Sequence, residues 1–280
     1  MSIAIQGCNI MSNFHYCLNA STIKTTPILK KISVAGHAGY EAIELWHDDI
    51  DAYLAEGGTL ADLRKALDDH NLVVPTTIYL AGWFDAAGQE YAQAIDECKR
   101  KLDQAVELGA SYAIAAPPLG QADYDLGARH YHDLLQIGIE KGVKPSMEFL
   151  GFVEQLSTIE DALEIMNKSG HPQATMILDP FHVFRGGGSI ESIARLREGQ
   201  IAISHFNDAP ASPPREQQHD PDRVMPGDGH LDLKSYLQLL NDIGYRRYLS
   251  LELFREELWV QDPLDVARTG LEKMRAVVEG

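Results

Sequence analysis

Short, nearly unbroken apolar runs alternate with longer amphipathic stretches along this chain, and that alternation restricts its fold more than any other feature. The runs are Ala42–Trp46, Leu72–Thr76, Tyr112–Ala116, Pro145–Phe149, Thr175–Leu178, Ile201–Phe206 and Tyr248–Leu253, with a weaker one at His15–Leu18. A strand with one solvated face alternates apolar and polar residues, whereas continuous runs predict parallel strands covered on both faces. The intervening stretches have helical periodicity. Tyr91, Ala94, Ile95, Cys98, Leu102, Ala105 and Val106 recur at three- and four-residue steps, and Gly109 closes that helix. Thr59 caps a helix carrying Leu60, Leu63 and Leu67, and Ser157 with Glu160 has capping-box spacing. Leu233, Leu237 and Leu240 mark a helix ending near Gly244, and Asp262-Pro263 reads as the start of a last one.

Eight strand–helix pairs in 280 residues give roughly 35 residues per unit, the size of a βα repeat. The expectation is therefore an α/β fold, a (β/α)8 TIM barrel, forming a single domain over residues 1–280. A doubly wound sheet is the rival, but no GxGxxG follows the first strand. Gly186-Gly187-Gly188 lacks the Lys-Ser/Thr of a P-loop and reads as a tight loop. One long interruption, residues 207–230, is rich in proline and polar residues. Its place after the seventh strand puts it at the barrel mouth, where a loop of this length is usually functional.

Composition removes several function classes. Lys and Arg number 24 against 41 Asp and Glu, a net charge of −17, which opposes binding to a phosphate backbone or to anionic lipid. The three cysteines, Cys8, Cys17 and Cys98, form no CxxC and read as reduced thiols. The amino terminus has neither a basic segment nor a sustained apolar one, and no apolar run is long enough for a membrane span. A cytoplasmic protein with no nucleic-acid or membrane partner is expected. Helices and loops outside the barrel leave room for a homo-oligomer face.

In such a barrel the residues ending each strand point into the active-site mouth. Four consecutive late strands end in an ionisable group: Glu148 (PSMEF), Asp179 (MILDP), His205 (ISHFND) and Glu252 (LSLEL). A carboxylate in an apolar run is costly unless it is paired or binds a cation. Three carboxylates and one imidazole suit one divalent ion such as Mn²⁺, Mg²⁺, Co²⁺ or Zn²⁺. The competing reading makes each an isolated polar residue satisfied by hydrogen bonds. His182, just past Asp179, is a candidate for contact with substrate or with a metal ligand. Arg223, in the long loop, is a candidate for fixing an oxygen-rich substrate or an oxyanion. Asn19, Glu44, Trp46 and His47 end the first two strands, and Trp46 offers either a stacking face for a sugar ring or a packed rim.

These stretches together resemble the xylose isomerase-like barrels, which include sugar isomerases and epimerases, inosose dehydratases and endonuclease IV. The resemblance covers nearly the whole chain. It rests on CLNAST, GYEAIELW, MEFLG, LDPFHVFRGGGSIESI, DPDRVMPGDGHLDL and LSLELFREE, and it is nearest to the keto-inositol isomerase branch. The resemblance implies that Glu148, Asp179, His205 and Glu252 are the metal ligands. It makes His182 and Arg223 substrate contacts; Trp46 and Asn19, at the ends of the first two strands, are further substrate-binding candidates by position. Asp208 becomes a group that orients His205 or a water, with a turn-forming role as the alternative. It implies isomerisation or epimerisation of a polyhydroxy ketone (a keto-inositol or keto-sugar) through a cis-enediolate, with Glu148 and Glu252 as the acid–base pair. A dehydratase of the inosose or 3-dehydroshikimate type shares the first step. A non-catalytic sugar-binding barrel would not need both glutamates. An endonuclease IV-like nuclease is disfavoured. The third and fourth strands end near Tyr79 and Pro117 rather than histidine, and the loop reads Asp222-Arg223-Val224 where the nuclease has Asp-Arg-His.

Overall fold

The computed structural model describes residues 14–280. Cys8 and the amino-terminal segment read above lie outside them. Eight parallel strands close into a barrel in sequence order: β1 (His15–Asn19), β2 (Ala42–Trp46), β3 (Thr76–Leu80), β4 (Tyr112–Ala115), β5 (Lys144–Glu148), β6 (Met176–Leu178), β7 (Ile201–His205) and β8 (Tyr248–Leu251). β1 pairs with β8 to complete the circle. This is the expected (β/α)8 architecture.

Successive strand residues face alternately inward and outward, and the two apolar cores follow that period except at the adjacent Ala202 and Ile203 of β7, beside a register shift in its pairing with β6. Leu18, Ile43, Leu45, Met147, Leu178 and Leu249 belong to the large core between strands and helices. Cys17, Ala42, Ile78, Ile114, Ile177, Ala202 and Ile203 form a smaller separate cluster inside the barrel. Continuing the inward parity toward the strand ends reaches Asn19, Glu44, Glu148, Asp179, His205 and Glu252. The barrel is thus apolar below and polar at its C-terminal end, and this polarity places the site.

Two boundaries differ from expectation. The third strand begins where the predicted Leu72–Thr76 run ends. Pro75 has no N–H to donate to a ladder; Leu72 and Val74 are buried as the chain enters the barrel, and the β-branched Thr76, Thr77 and Ile78 pair instead. The capping box expected at Ser157 and Glu160 forms one residue later. Thr158 Oγ1 accepts from Asp161 N–H, Asp161 Oδ2 accepts from Thr158 N–H at 2.9 Å, and Glu160 turns outward to Arg195. The Thr59 and Asp262 caps and the closing Gly109, in a left-handed conformation, are as expected.

Loop 207–230 is folded rather than structureless. It contains short turns at Arg215–Gln217 and Asp220–Asp222 and an antiparallel bridge between Asp208 and Val224. Among the described residues no helix is long and apolar enough to cross a membrane.

Candidate active site

The four residues ending the late strands converge. His205 Nδ1 lies 3.0 Å from Glu252 Oε2, 3.3 Å from Glu148 Oε1 and 3.5 Å from Asp179 Oδ2. The ring is fully buried, and neither ring nitrogen has a hydrogen-bond partner among the described residues despite the carboxylates around it. An imidazole nitrogen with three carboxylate oxygens within 3.5 Å fits a cation position. Glu148, His205 and Glu252 offer ligand atoms all within 4.8 Å of one another. Asp179 stands at the edge of this trio. It caps the short helix Pro180–Arg185 by accepting from Phe181 N–H at 2.7 Å, and Asn207 Nδ2 donates to both its oxygens at 3.2 Å.

The electrostatics of the cluster reflect crowded negative charge. Burial pushes Glu148 up to about 7; His205 pulls it down, and Glu252 and Asp179 add to the rise. Burial would lower His205, but Glu252, Glu44, Asp179 and Glu148 together hold it well above the usual histidine value. Asp179 is held well below the carboxylate range: burial opposes this, but the Arg223 charge and the two histidines outweigh it.

Arg223 reaches in from the long loop. Its guanidinium is buried, with Nη1 pairing with Glu252 Oε2 and lying 3.0 Å from Asp179 Oδ2, and Nη2 2.6 Å from Asp220 Oδ1. The rings of Phe181 and Phe254 lie 4.9 and 5.3 Å from it. His182 Nε2 is 2.9 Å from Arg223 Nη2, and its Nδ1 accepts from Gly151 N–H at 3.2 Å. Burial lowers His182 to about 4, so it is neutral near pH 7. Glu148, Glu252, His182, Arg223 and Trp46 share the wall of one cavity of about 630 Å³, which Phe152 and Phe254 line on the apolar side.

Two expected roles change. Asn19 is fully buried and does not line the cavity; its Nδ2 donates to Glu252 Oε1 at 2.9 Å and Glu44 Oε2 at 3.1 Å, and its Oδ1 accepts from Trp46 Nε1 at 2.9 Å. With its amide saturated by protein groups, it holds the site rather than contacting substrate. Asp208 does not orient His205. Its carboxylate accepts from the backbone N–H of Ala209, Gly227, Gly229 and Leu231, so it takes the turn-forming role and clasps the loop that carries Arg223. A Cβ at Gly229 would overlap Asp208 Oδ1 and the Ala209 carbonyl, which is why glycine stands there. His47 turns away to Gln104 Oε1 at 2.7 Å.

Sequence reasoning gave no role to Asn207 or Asp220 and left Glu44 as a mouth residue. Inward parity two residues past His205 marks Asn207. A carboxylate inside the apolar run AIELW marks Glu44 by the same cost argument that marked Glu148. Nothing local marks Asp220, because its contact with Arg223 depends on how the loop folds.

The chain is similar to known proteins over most of its length. The xylose isomerase-like TIM barrel family model matches residues 32–277. Inosose isomerase of Bacillus velezensis is 28% identical over 272 residues, covering 94% of this chain and 96% of that protein. 3-Dehydroshikimate dehydratase of Pseudomonas aeruginosa is 26% identical over 235 residues, covering 81% of this chain but 36% of the dehydratase. The crystal structure of the IOLI protein with a bound zinc atom superposes with a TM-score of 0.87 at 27% identity, covering 94% of this chain and 98% of that one.

Proposed function

Because the chain belongs to the xylose isomerase-like TIM barrel family, we propose that it is a divalent-metal-dependent isomerase or epimerase of a polyhydroxy ketone, with a keto-inositol first among candidates. The observation that carries this reading is the pair Glu148 and Glu252, whose carboxylate oxygens lie 3.3 and 3.0 Å from His205 Nδ1 on the wall of a cavity that also receives Arg223 and His182. Similarity to inosose isomerases over nearly the whole chain supports the isomerase class.

Glu148, His205 and Glu252 would hold the ion, with Asp179 as the fourth ligand. A bound divalent cation supplies Lewis-acid polarisation of the substrate carbonyl and so acidifies the adjacent C–H. Among the described residues the nearest polar neighbour of Glu148 is His205 Nδ1, 3.3 Å from Oε1, which leaves its other carboxylate oxygen free to accept a proton. Glu252 is held at Oε1 by Asn19 and at Oε2 by Arg223, so its position is fixed. One of the pair removes the α proton to leave a cis-enediolate, and a carboxylate returns a proton at the neighbouring carbon for isomerisation, or on the other face for epimerisation. Arg223 supplies fixed positive charge for the oxyanion. Neutral His182 packs against Arg223 on the same wall, and Trp46, edge-on to Tyr79 and Phe254, offers a wall for the C–H face of a ring.

The test is incubation of the Mn²⁺-loaded protein in D₂O with keto-inositols, keto-sugars and 3-dehydroshikimate. Deuterium uptake without loss of water is the expected result. Loss of water would favour the dehydratase reading, which the Pseudomonas relative supports. Glu148→Gln and Glu252→Gln should each abolish exchange while the protein stays folded; near-normal exchange in either sinks the acid–base assignment.

A further inference from the structure

The proposed chemistry leaves one fully buried carboxylate without a role. Glu44 faces into the barrel from β2, with no exposure to solvent. Four groups converge on it. Thr76 Oγ1 donates to Oε1, while Ser250 Oγ and Asn19 Nδ2 donate to Oε2, and His205 Nε2 lies 3.4 Å from that same Oε2. Asn19 sits opposite Glu44 in the strand register, and its amide nitrogen is shared with Glu252 Oε1. Glu44 therefore addresses two members of the trio from behind. It meets the imidazole on the nitrogen facing away from Glu148, and it reaches Glu252 through one amide.

Packing does not call for a carboxylate here. Barrel interiors are filled by branched apolar side chains, and a buried charge replaced by a well-packed apolar group is often neutral or stabilising. What a carboxylate can do at this position, and a leucine cannot, is select the histidine tautomer. An Nε2–H directed at Glu44 leaves the Nδ1 lone pair pointing at the space between Glu148 and Glu252. The Asn19 bridge meanwhile ties up Glu252 Oε1 and leaves Oε2 turned to the same point.

We propose that Glu44 is a positioning residue of this site: it sets the His205 ring through Nε2 and, through Asn19, sets the orientation of Glu252. This rests on the reading of Glu148, His205 and Glu252 as a cation site.

The experiment uses Co²⁺ as probe and reads affinity by calorimetry, the visible absorption of the bound ion, and thermal unfolding of the metal-free protein. The wild type is expected to bind Co²⁺; its failure to do so overturns the cation reading and this inference with it. With binding established, Glu44→Gln should weaken Co²⁺ affinity by about 10–100-fold and change the absorption spectrum. Glu44→Asp, which keeps the charge, should recover part of both. A structural role alone would lower the unfolding temperature of Glu44→Gln and leave affinity and spectrum as in the wild type, and that result overturns the inference while the cation site stands. If Glu44→Gln does not fold, Glu44→Asp and Ser250→Ala decide. Weakened affinity in both supports positioning, and wild-type affinity in both refutes it.

Discussion

Replacing Arg223 with methionine tests the electrostatic logic of the site most directly. Methionine keeps the length and can still lie between Phe181 and Phe254, so the change is chiefly loss of one buried positive charge. In the metal-free protein that charge faces Asp179 at 3.0 Å and also pairs with Glu252 and Asp220. Removing one partner of a buried ion pair costs about 3–5 kcal/mol, which for a chain of this size is a fall of roughly 6–15 °C in unfolding temperature. A bound divalent cation returns positive charge to Glu252 and Asp179, while the partly exposed Asp220 is helped by solvent. With saturating Mn²⁺ the destabilisation should drop to half or less. The thermodynamic cycle then requires the variant to bind Mn²⁺ more tightly, because a ligand stabilises in proportion to its affinity for the folded state. A difference of about 2 kcal/mol corresponds to roughly 30-fold. Turnover should nevertheless fall by about 100- to 1,000-fold, the usual consequence of losing an oxyanion partner. The assays are thermal unfolding with and without Mn²⁺ and calorimetric titration. Equal destabilisation in both states, or Mn²⁺ affinity no tighter than wild type, refutes the reasoning.

Two further outcomes follow from the same geometry. Glu148 is pushed up to about 7 and His205 is held above its usual value, so a cation entering at lower pH must displace their protons. Mn²⁺ affinity should therefore rise with pH, by up to about tenfold per unit for each proton displaced, with the Glu148 contribution levelling off above about 7; a flat profile between pH 5.5 and 8 contradicts the assignment. Asp208→Ala removes the acceptor for four loop amides and should cost about 3 kcal/mol, expose residues 209–231 to limited proteolysis and reduce turnover by releasing Arg223; wild-type protease resistance would show that the clasp does not hold the loop.

Much of the site was legible because strand geometry is local. Residues at the end of an inward-facing row must point into the mouth, so Glu148, Asp179, His205 and Glu252 could be named from their place in apolar runs. The same rule reached Glu44 and Asn19 without supplying their roles. Whether a polar side chain faces the cavity or saturates a neighbour depends on groups far away in the chain. Asn19 looks like a substrate contact until Glu252, distant in sequence, is seen to take its amide. Asp208 looks like support for His205 until the loop folds back and places four amides on it.

The sequence by itself determined the barrel. Continuous apolar strand runs, period-3.6 helices and a repeat of βα length are properties of short segments, and burial drives them to one topology. It also determined which strand ends carry charge. The tertiary structure alone decided how those charges are apportioned: Arg223 between Asp179 and Glu252, Asp208 to its loop, and Glu44 to the back of His205. Coulombic and hydrogen-bond partners act through distances of a few ångströms in space. Only closure of the barrel and docking of the long loop brings residues two hundred positions apart within that reach.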